Sequence, residues 1–455
     1  MSQKIQENKM GVQPIGGLLA SMAIPMMVSM LFQALYNVVD SIFVARLGQD
    51  AMNAVSLAFP LQSLLIAFGA GTGVGINALL SRSLGAGDKD RANRAANTGI
   101  FLYFCTAVVF TLLGLLLPRV YFRLQTDNPA ILEYGTAYVS VCLGCCIAVF
   151  GQVAGERLLQ ATGRTDLAMI PQITGAVVNM ILDPVMIFGL LGFPRLEVLG
   201  AAVATVCGQV IAAAVGLWLN LTKNKEITLS FRLIRFDKET AAEIYRIGLP
   251  SIIMQSIGSV MNFALNKILI GFTEAATAVF GAYYKIQSFI FLPVFGMNNA
   301  VVPIISYNYG AQKYDRMRHA IKLSIASAVA IMTLGFLLFE TIPGVLLSMF
   351  SPTEEMLTVG KTALRIMGIP FPFAGFCIVS GSVCQALRKP VYSMITSVCR
   401  QVVVLLPAAF LLSLTGRLEL VWCAFPIAEI FSTALSAVFL TRTLRSVSHP
   451  ERLPD

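Results

Sequence analysis

The chain is poor in charge and almost without histidine. Of its 455 residues only 13% are Asp, Glu, Lys or Arg, about half the share a soluble domain carries, which excludes an ordinary water-surrounded globule. His319 and His449 are the two histidines, too few for a His-rich metal centre or a His-based catalytic site. No G-x-x-x-x-G-K-[ST] run occurs, so the chain lacks the phosphate cradle through which ATP would drive it. The N-terminal MSQKIQENKMGVQP is too polar, and the apolar run after it too long, for a cleaved leader, so the first helix is expected to stay in the mature protein. All nine cysteines fall in apolar stretches and are expected to be buried, reduced packing residues. Cys142 and Cys145 spell C-x-x-C, but the βαβ setting of a redox motif is missing.

What the chain has in abundance is apolar sequence, 56% of it, gathered in runs of about 20 residues or more, long enough to cross a hydrocarbon core as helix. The expected fold is an all-α integral membrane protein of twelve spans. Six lie near 18–45, 52–80, 95–118, 130–155, 166–190 and 198–222; after a basic segment, six more lie near 245–271, 276–306, 320–342, 357–384, 391–414 and 419–441. An even number puts both termini on one side. The termini and the connections on their side hold about 21 Lys and Arg, against about five on the other. The termini are therefore expected in the cytoplasm and the protein in the cell membrane. This topology accounts for the net charge of +9 without a nucleic-acid partner.

Sliding the chain against itself by the distance from Pro25 to Pro250 aligns Asn37 with Asn262, Gln62-Ser63 with Gln287-Ser288 and Gly71 with Gly296. The same shift, 225 residues, aligns Gly85-Ala86 with Gly310-Ala311, Asp90-Arg91 with Asp315-Arg316 and Gln160-Ala161 with Gln385-Ala386, with no gap. A register kept through four helices points to a duplicated six-helix unit. An even unit re-enters from the same side, so the two lobes form a parallel repeat about an axis along the membrane normal, with a cleft between them. The expected division is 1–222 for the first lobe, 223–242 for a cytoplasmic linker and 243–455 for the second lobe.

Ionisable groups at membrane depth are costly, at least about 2.5 kcal/mol each at a helix centre. In the first span Gln33, Tyr36, Asn37 and Asp40 follow i, i+3, i+4, i+7 spacing, a polar stripe that must face protein or a watery cleft. In the fifth, Asn179 and Asp183 share a face and Pro184 loosens the helix beside them. Carboxylates, an amide oxygen and a hydroxyl from Thr205 are hard donors suited to a small cation. Pro25 and its repeat mate Pro250 interrupt the first and seventh spans, as static kinks or as a bend that gates. Gly69, Gly71, Gly73 and Gly75 lie inside a span and read as close helix packing.

The second lobe does not repeat the acidic site, since Leu265 and Ala408 stand where Asp40 and Asp183 would fall. It carries Lys285 beside Tyr283 and Tyr284, Arg400 in the eleventh span and Glu429 in the twelfth. Arg400 and Glu429 pair as a structural lock or touch substrate; Lys285 snorkels or joins the cleft. Tyr36, Tyr283, Phe289 and methionines such as Met27, Met30, Met254 and Met261 suit a wall for flat amphiphiles.

Together these residues resemble the multidrug and toxic compound extrusion (MATE) family, over nearly the whole chain. The resemblance rests on the Pro-bearing first helix leading to Gln33, Tyr36 and Asp40, on Asn179…Asp183-Pro184, and on S-x-G-A-x-x-x-D-R at Ser83–Arg91, echoed as N-x-G-A-x-x-x-D-R at Asn308–Arg316. It implies a secondary transporter, not an enzyme, that antiports H⁺ or Na⁺ against amphiphilic, often cationic compounds by alternating access. Asp40 and Asp183 would bind the coupling ion, with Asn179, Thr205 and Tyr138 as partners; Gln33, Tyr36, Asn37, Asn262, Tyr283 and Lys285 would line the substrate cleft. No cofactor is expected beyond that ion, and the protein is expected to act as a monomer. The same superfamily contains lipid-linked oligosaccharide flippases, the alternative reading.

Overall fold

The computed structural model describes residues 8–230, 234, 236–350 and 352–448; His449 and parts of the expected linker lie outside them. Among the described residues ten helices are long and apolar enough to span a bilayer and two bent pairs complete twelve. In chain order they are Ile15–Ala45, Gln49–Gly85, Lys89–Leu116, the pair Pro129–Gly144 and Ile147–Ala161, Thr165–Phe188 and Val198–Thr222 in the first lobe. The second lobe has Lys238–Leu269, Glu274–Gly310, Tyr314–Thr341, the pair Glu354–Gly368 and Phe371–Ala386, Pro390–Ser413 and Ala424–Ser448. Helices satisfy their own backbone groups, the condition for crossing lipid.

The duplication is visible in the backbone. The fourth and tenth helices each break and bend by 45° at equivalent points. In the fourth, the break falls at Cys145 and Cys146, and the Thr111 hydroxyl donates to the Gly144 carbonyl at 3.3 Å. At the end of these helices Gly163 and Arg388, 225 residues apart, both take positive φ, 82° and 65°. The turn bonds also repeat: Arg164 N–H donates to Leu159 O and Lys389 N–H to Cys384 O, each at 2.8 Å. Asn128 and Thr353, another repeat pair, cap the fourth and tenth helices by accepting from backbone N–H groups at 2.9 and 3.2 Å.

The lobes meet where the first and second helices pack against the seventh and eighth. A Cβ on Gly85 would strike the Tyr307 carbonyl and one on Gly310 the Arg82 carbonyl, so only glycine lets these two helix ends cross. Gly71 and Gly75 press on the seventh helix at Ile252 and Ile244, the close packing expected of that glycine run. Gly85 and Gly310 stand at the helix ends on the side of the chain ends and Gly71 and Gly75 nearer the middle of their helix, so the lobes touch along this half. The outer helix faces carry exposed Phe59, Phe104, Leu112, Phe263 and Leu334 where lipid would lie. Cys105 and Cys145 are exposed there too, against the expectation of burial, because the helix face they occupy points away from both lobes' interiors; all nine thiols are unpaired.

Pro25 and Pro250 sit inside continuous helices. The sharp bends belong instead to the fourth and tenth helices.

Candidate functional site

Two polar centres stand in the membrane region, one in each lobe. In the first lobe the fifth helix carries Asn179 and Asp183 one turn apart, 2% and 0% exposed, and the sixth brings Thr205 against them. With the Asn179 oxygen turned to Thr205, the amide donates to Asp183 Oδ2 at 3.1 Å and accepts from the Thr205 hydroxyl at 3.1 Å. Asp40 of the first helix lies within electrostatic range of Asp183, Tyr36 and Tyr138. Its Oδ1 is buried and has no hydrogen-bond partner among the described residues. Gln62 donates to the Tyr138 hydroxyl at 3.0 Å, and Gln172 to Gln33 Oε1 at 2.8 Å, tying the fifth helix to the first. The result is a knot of two carboxylates, an amide, a hydroxyl and two phenols, a hard oxygen set with one orphaned carboxylate oxygen.

Between the lobes lies a cavity of about 770 Å³, a size suited to a drug-like molecule. Gln33, Tyr36, Asn179 and Thr205 line its first-lobe wall, and Tyr283, Arg400 and Glu429 its second-lobe wall. The eleventh helix changes to π-helix over Cys399–Leu405 and so turns Arg400 inward. Arg400 Nη1 donates to Glu429 Oε2 at 3.2 Å; the arginine side chain is 36% exposed and the glutamate's 6%. Tyr283 stacks on Phe280 and meets Phe425 edge-on at 5.6 Å.

Three residues expected in the cleft are not on its wall. Asn37 follows Tyr36 by one position, which turns it about 100° round the helix to an exposed face. Lys285 is two positions past Tyr283 and exposed, with its ammonium 5.9 Å from the Phe350 ring. Asn262 lies in the outer part of the seventh helix, its Oδ1 buried without a partner among the described residues.

The cavity also holds charges the sequence reading overlooked. Glu156, 8% exposed, accepts from Gln152 at 2.9 Å, and Arg157 donates to Gln160 and, across the lobes, to Asn299 at 2.9 Å. Both were placed just past a span ending at 155, but the bent fourth helix continues to Ala161. Their signal was a second helical segment after the Cys145–Cys146 break.

Below the cavity, on the side of the termini, Glu243 of the seventh helix gathers three arginines. Arg82 and Arg91 come from the first lobe, Arg91 at 2.6 Å, and Arg388 from the second at 3.3 Å. The segment around Lys9–Val12 fastens the other flank: Arg316 donates to Gln13 O at 2.6 Å and Asn308 to Met10 O at 3.0 Å.

The MatE family model matches residues 25–185 and 250–411, two blocks whose starts are one repeat apart. The chain is 26% identical over 421 residues to an FAD transporter of Shewanella oneidensis, covering 92% of each chain. It is 28% identical over 432 residues to the multidrug export protein MepA of Staphylococcus saprophyticus, covering 93% of this chain and 92% of the other. A solved MOP superfamily transporter from Pyrococcus furiosus has the same fold, with a TM-score of 0.91 at 24% identity over 98% of this chain and 100% of that one.

Proposed function

Because the chain belongs to the MatE family of membrane transporters, which are not enzymes, we propose that it is a cation-coupled exporter of flat amphiphilic compounds, with the first-lobe knot as its ion site. It is a multi-span protein of the cell membrane that handles small molecules; the termini face the cytoplasm on the charge count. The carrying observation is the buried, unpartnered Asp40 oxygen beside the Asp183–Asn179–Thr205 group. Such an oxygen is costly unless a proton or Na⁺ joins it for part of the cycle.

Binding of H⁺ or Na⁺ at Asp40 and Asp183 cancels their repulsion and lets the first and fifth helices close up. Tyr36, Gln33 and Asn179 carry that movement to the cavity, because all three line it, and the substrate is released outward. One proton moving down 100 mV and one pH unit yields ~3.7 kcal/mol, enough for a few-hundred-fold gradient. A single ion per cycle therefore sustains useful export.

The test is ethidium transport in proteoliposomes with the pH and Na⁺ gradients collapsed separately. The reading expects uphill movement that stops when one of the two is removed. Transport indifferent to both, or movement of lipid-linked sugar in place of any amphiphile, would overturn it. A second reading, export of a flavin nucleotide, is favoured by the relative named an FAD transporter. Competition of FAD with ethidium in the same vesicles supports it, and no competition at millimolar FAD rejects it.

A further inference from the structure

The second-lobe wall contains a charge pair that is only half used. Glu429 is 5% exposed, yet its Oε1 has no hydrogen-bond partner among the described residues. Arg400 meets Oε2 through one nitrogen, where a guanidinium and a carboxylate would ordinarily engage through two parallel bonds. Among the described residues Glu429 is that guanidinium's one hydrogen-bond partner, so it keeps N–H groups without a protein acceptor on a side chain that lines the cavity with Glu429. A buried acceptor and adjacent donors thus stand side by side on one wall.

The pair is neutral as a whole, which removes any strong preference for a cation or an anion. What it offers is a pattern, acceptor beside donor. The surroundings add shape: Phe280, Tyr283 and Phe425 form one aromatic group on the cavity, and Tyr392 and Phe439, also on its wall, stack at 4.4 Å with planes 5° apart. Flat rings stack on such faces.

We propose that this wall is a recognition subsite for flat heterocycles bearing a lactam or imide edge, whose N–H donates to Glu429 Oε1 while the neighbouring carbonyl accepts from Arg400. The subsite rests on the export reading and narrows its substrate class. It also explains why the pair is not packed shut. At the same repeat register the first lobe has Gly175 and Ala204, and there the fifth and sixth helices touch directly, Gly175 lying 3.0 Å from Ala212 Cβ by its would-be Cβ. The second lobe has put an ion pair and a π-helical turn in that place.

The experiment uses the full chain purified in detergent and lumiflavin, a neutral fluorescent imide, against its N3-methyl derivative, in which the edge is blocked. Ethidium binding is measured on the same samples. Wild type is expected to bind lumiflavin about tenfold or more tighter than the methylated compound, the discrimination of one hydrogen bond to a charged acceptor. Glu429→Gln is expected to cut that ratio to below about threefold, with its fold checked by gel filtration and a melting curve. Wild type that binds ethidium but takes both flavins equally overturns the subsite alone. So does a folded Glu429→Gln protein with the ratio unchanged, the behaviour of a purely structural lock. Wild type that binds none of the three overturns the export reading and the subsite with it. The wild-type ratio decides the matter even where the variant fails to fold.

Discussion

The two lobes share a backbone and differ in where they keep their polar groups. The bends of the fourth and tenth helices, the left-handed turns at Gly163 and Arg388 and the caps at Asn128 and Thr353 recur one repeat apart. Yet Asn179, Asp183 and Thr205 have Val404, Ala408 and Ile430 as counterparts, while Arg400 and Glu429 replace Gly175 and Ala204. Each lobe is polar where its twin is apolar. The duplication supplied a symmetric pair of movable bundles, and substitution at a few interior positions then separated an oxygen-rich knot from a hydrogen-bonding wall.

The comparison can be broken most severely at Asp183. Asp183→Asn is expected to lower gradient-driven ethidium transport by a hundredfold or more in proteoliposomes while leaving ethidium binding within about threefold, since Asp183 is fully buried and does not itself line the cavity. Next is the asymmetric closure on the terminal side. Arg91 reaches a carboxylate, Glu243, whereas its repeat mate Arg316 reaches backbone carbonyls. Removing the carboxylate by Glu243→Gln leaves Arg82, Arg91 and Arg388 without their shared counter-charge; Arg82 is buried but Arg91 and Arg388 are 43% and 46% exposed, so the loss is about 1–3 kcal/mol. Hydrogen exchange at residues 82–91 and 386–390 is expected to speed up sharply; unchanged exchange would show that the closure rests on helix packing alone. Gly85→Ala, which drives a methyl into the Tyr307 carbonyl, should lower the melting temperature by several degrees, and Gly87→Ala, with open space around it, should act only through its positive φ and cost less.

The smallest effect is at Asp237, which caps the seventh helix. Its carboxylate accepts from the Thr240 hydroxyl at 2.6 Å and from Glu239 N–H at 3.3 Å, and the Thr240 bond holds its pKa below the usual carboxylate range. A lowered folded-state pKa gives stability that is complete above about pH 4, the unfolded value, and is lost as pH falls through the folded one. Asp237→Ala should cost about 1 kcal/mol, seen as faster exchange in the first turn of that helix at pH 7 and a smaller difference at pH 3.

Much of this was legible in the sequence because it depends on local pattern. Twelve apolar runs, a 225-residue repeat and the Asn179…Asp183-Pro184 spacing need no knowledge of neighbours. Periodicity does not say which face of a helix meets the cavity, so Tyr36 and Tyr283 fell on the wall while Asn37 and Lys285, one and two residues on, did not. Glu156 and Arg157 are hidden from a span count by a helix that bends at Cys145 and then continues to Ala161. The gathering of three arginines on Glu243 joins residues up to 306 positions apart, a meeting that only the packed lobes reveal.

The division of labour between the lobes is tested most directly by measuring ion-driven accumulation and ligand binding on Asp183→Asn and Glu429→Gln side by side in proteoliposomes. The account predicts different losses: Asp183→Asn binds ethidium and lumiflavin but fails to accumulate ethidium against its gradient, whereas ethidium uptake by Glu429→Gln still depends on the ion gradient while its discrimination between lumiflavin and the N3-methyl compound is lost. Uphill accumulation by Asp183→Asn would contradict it.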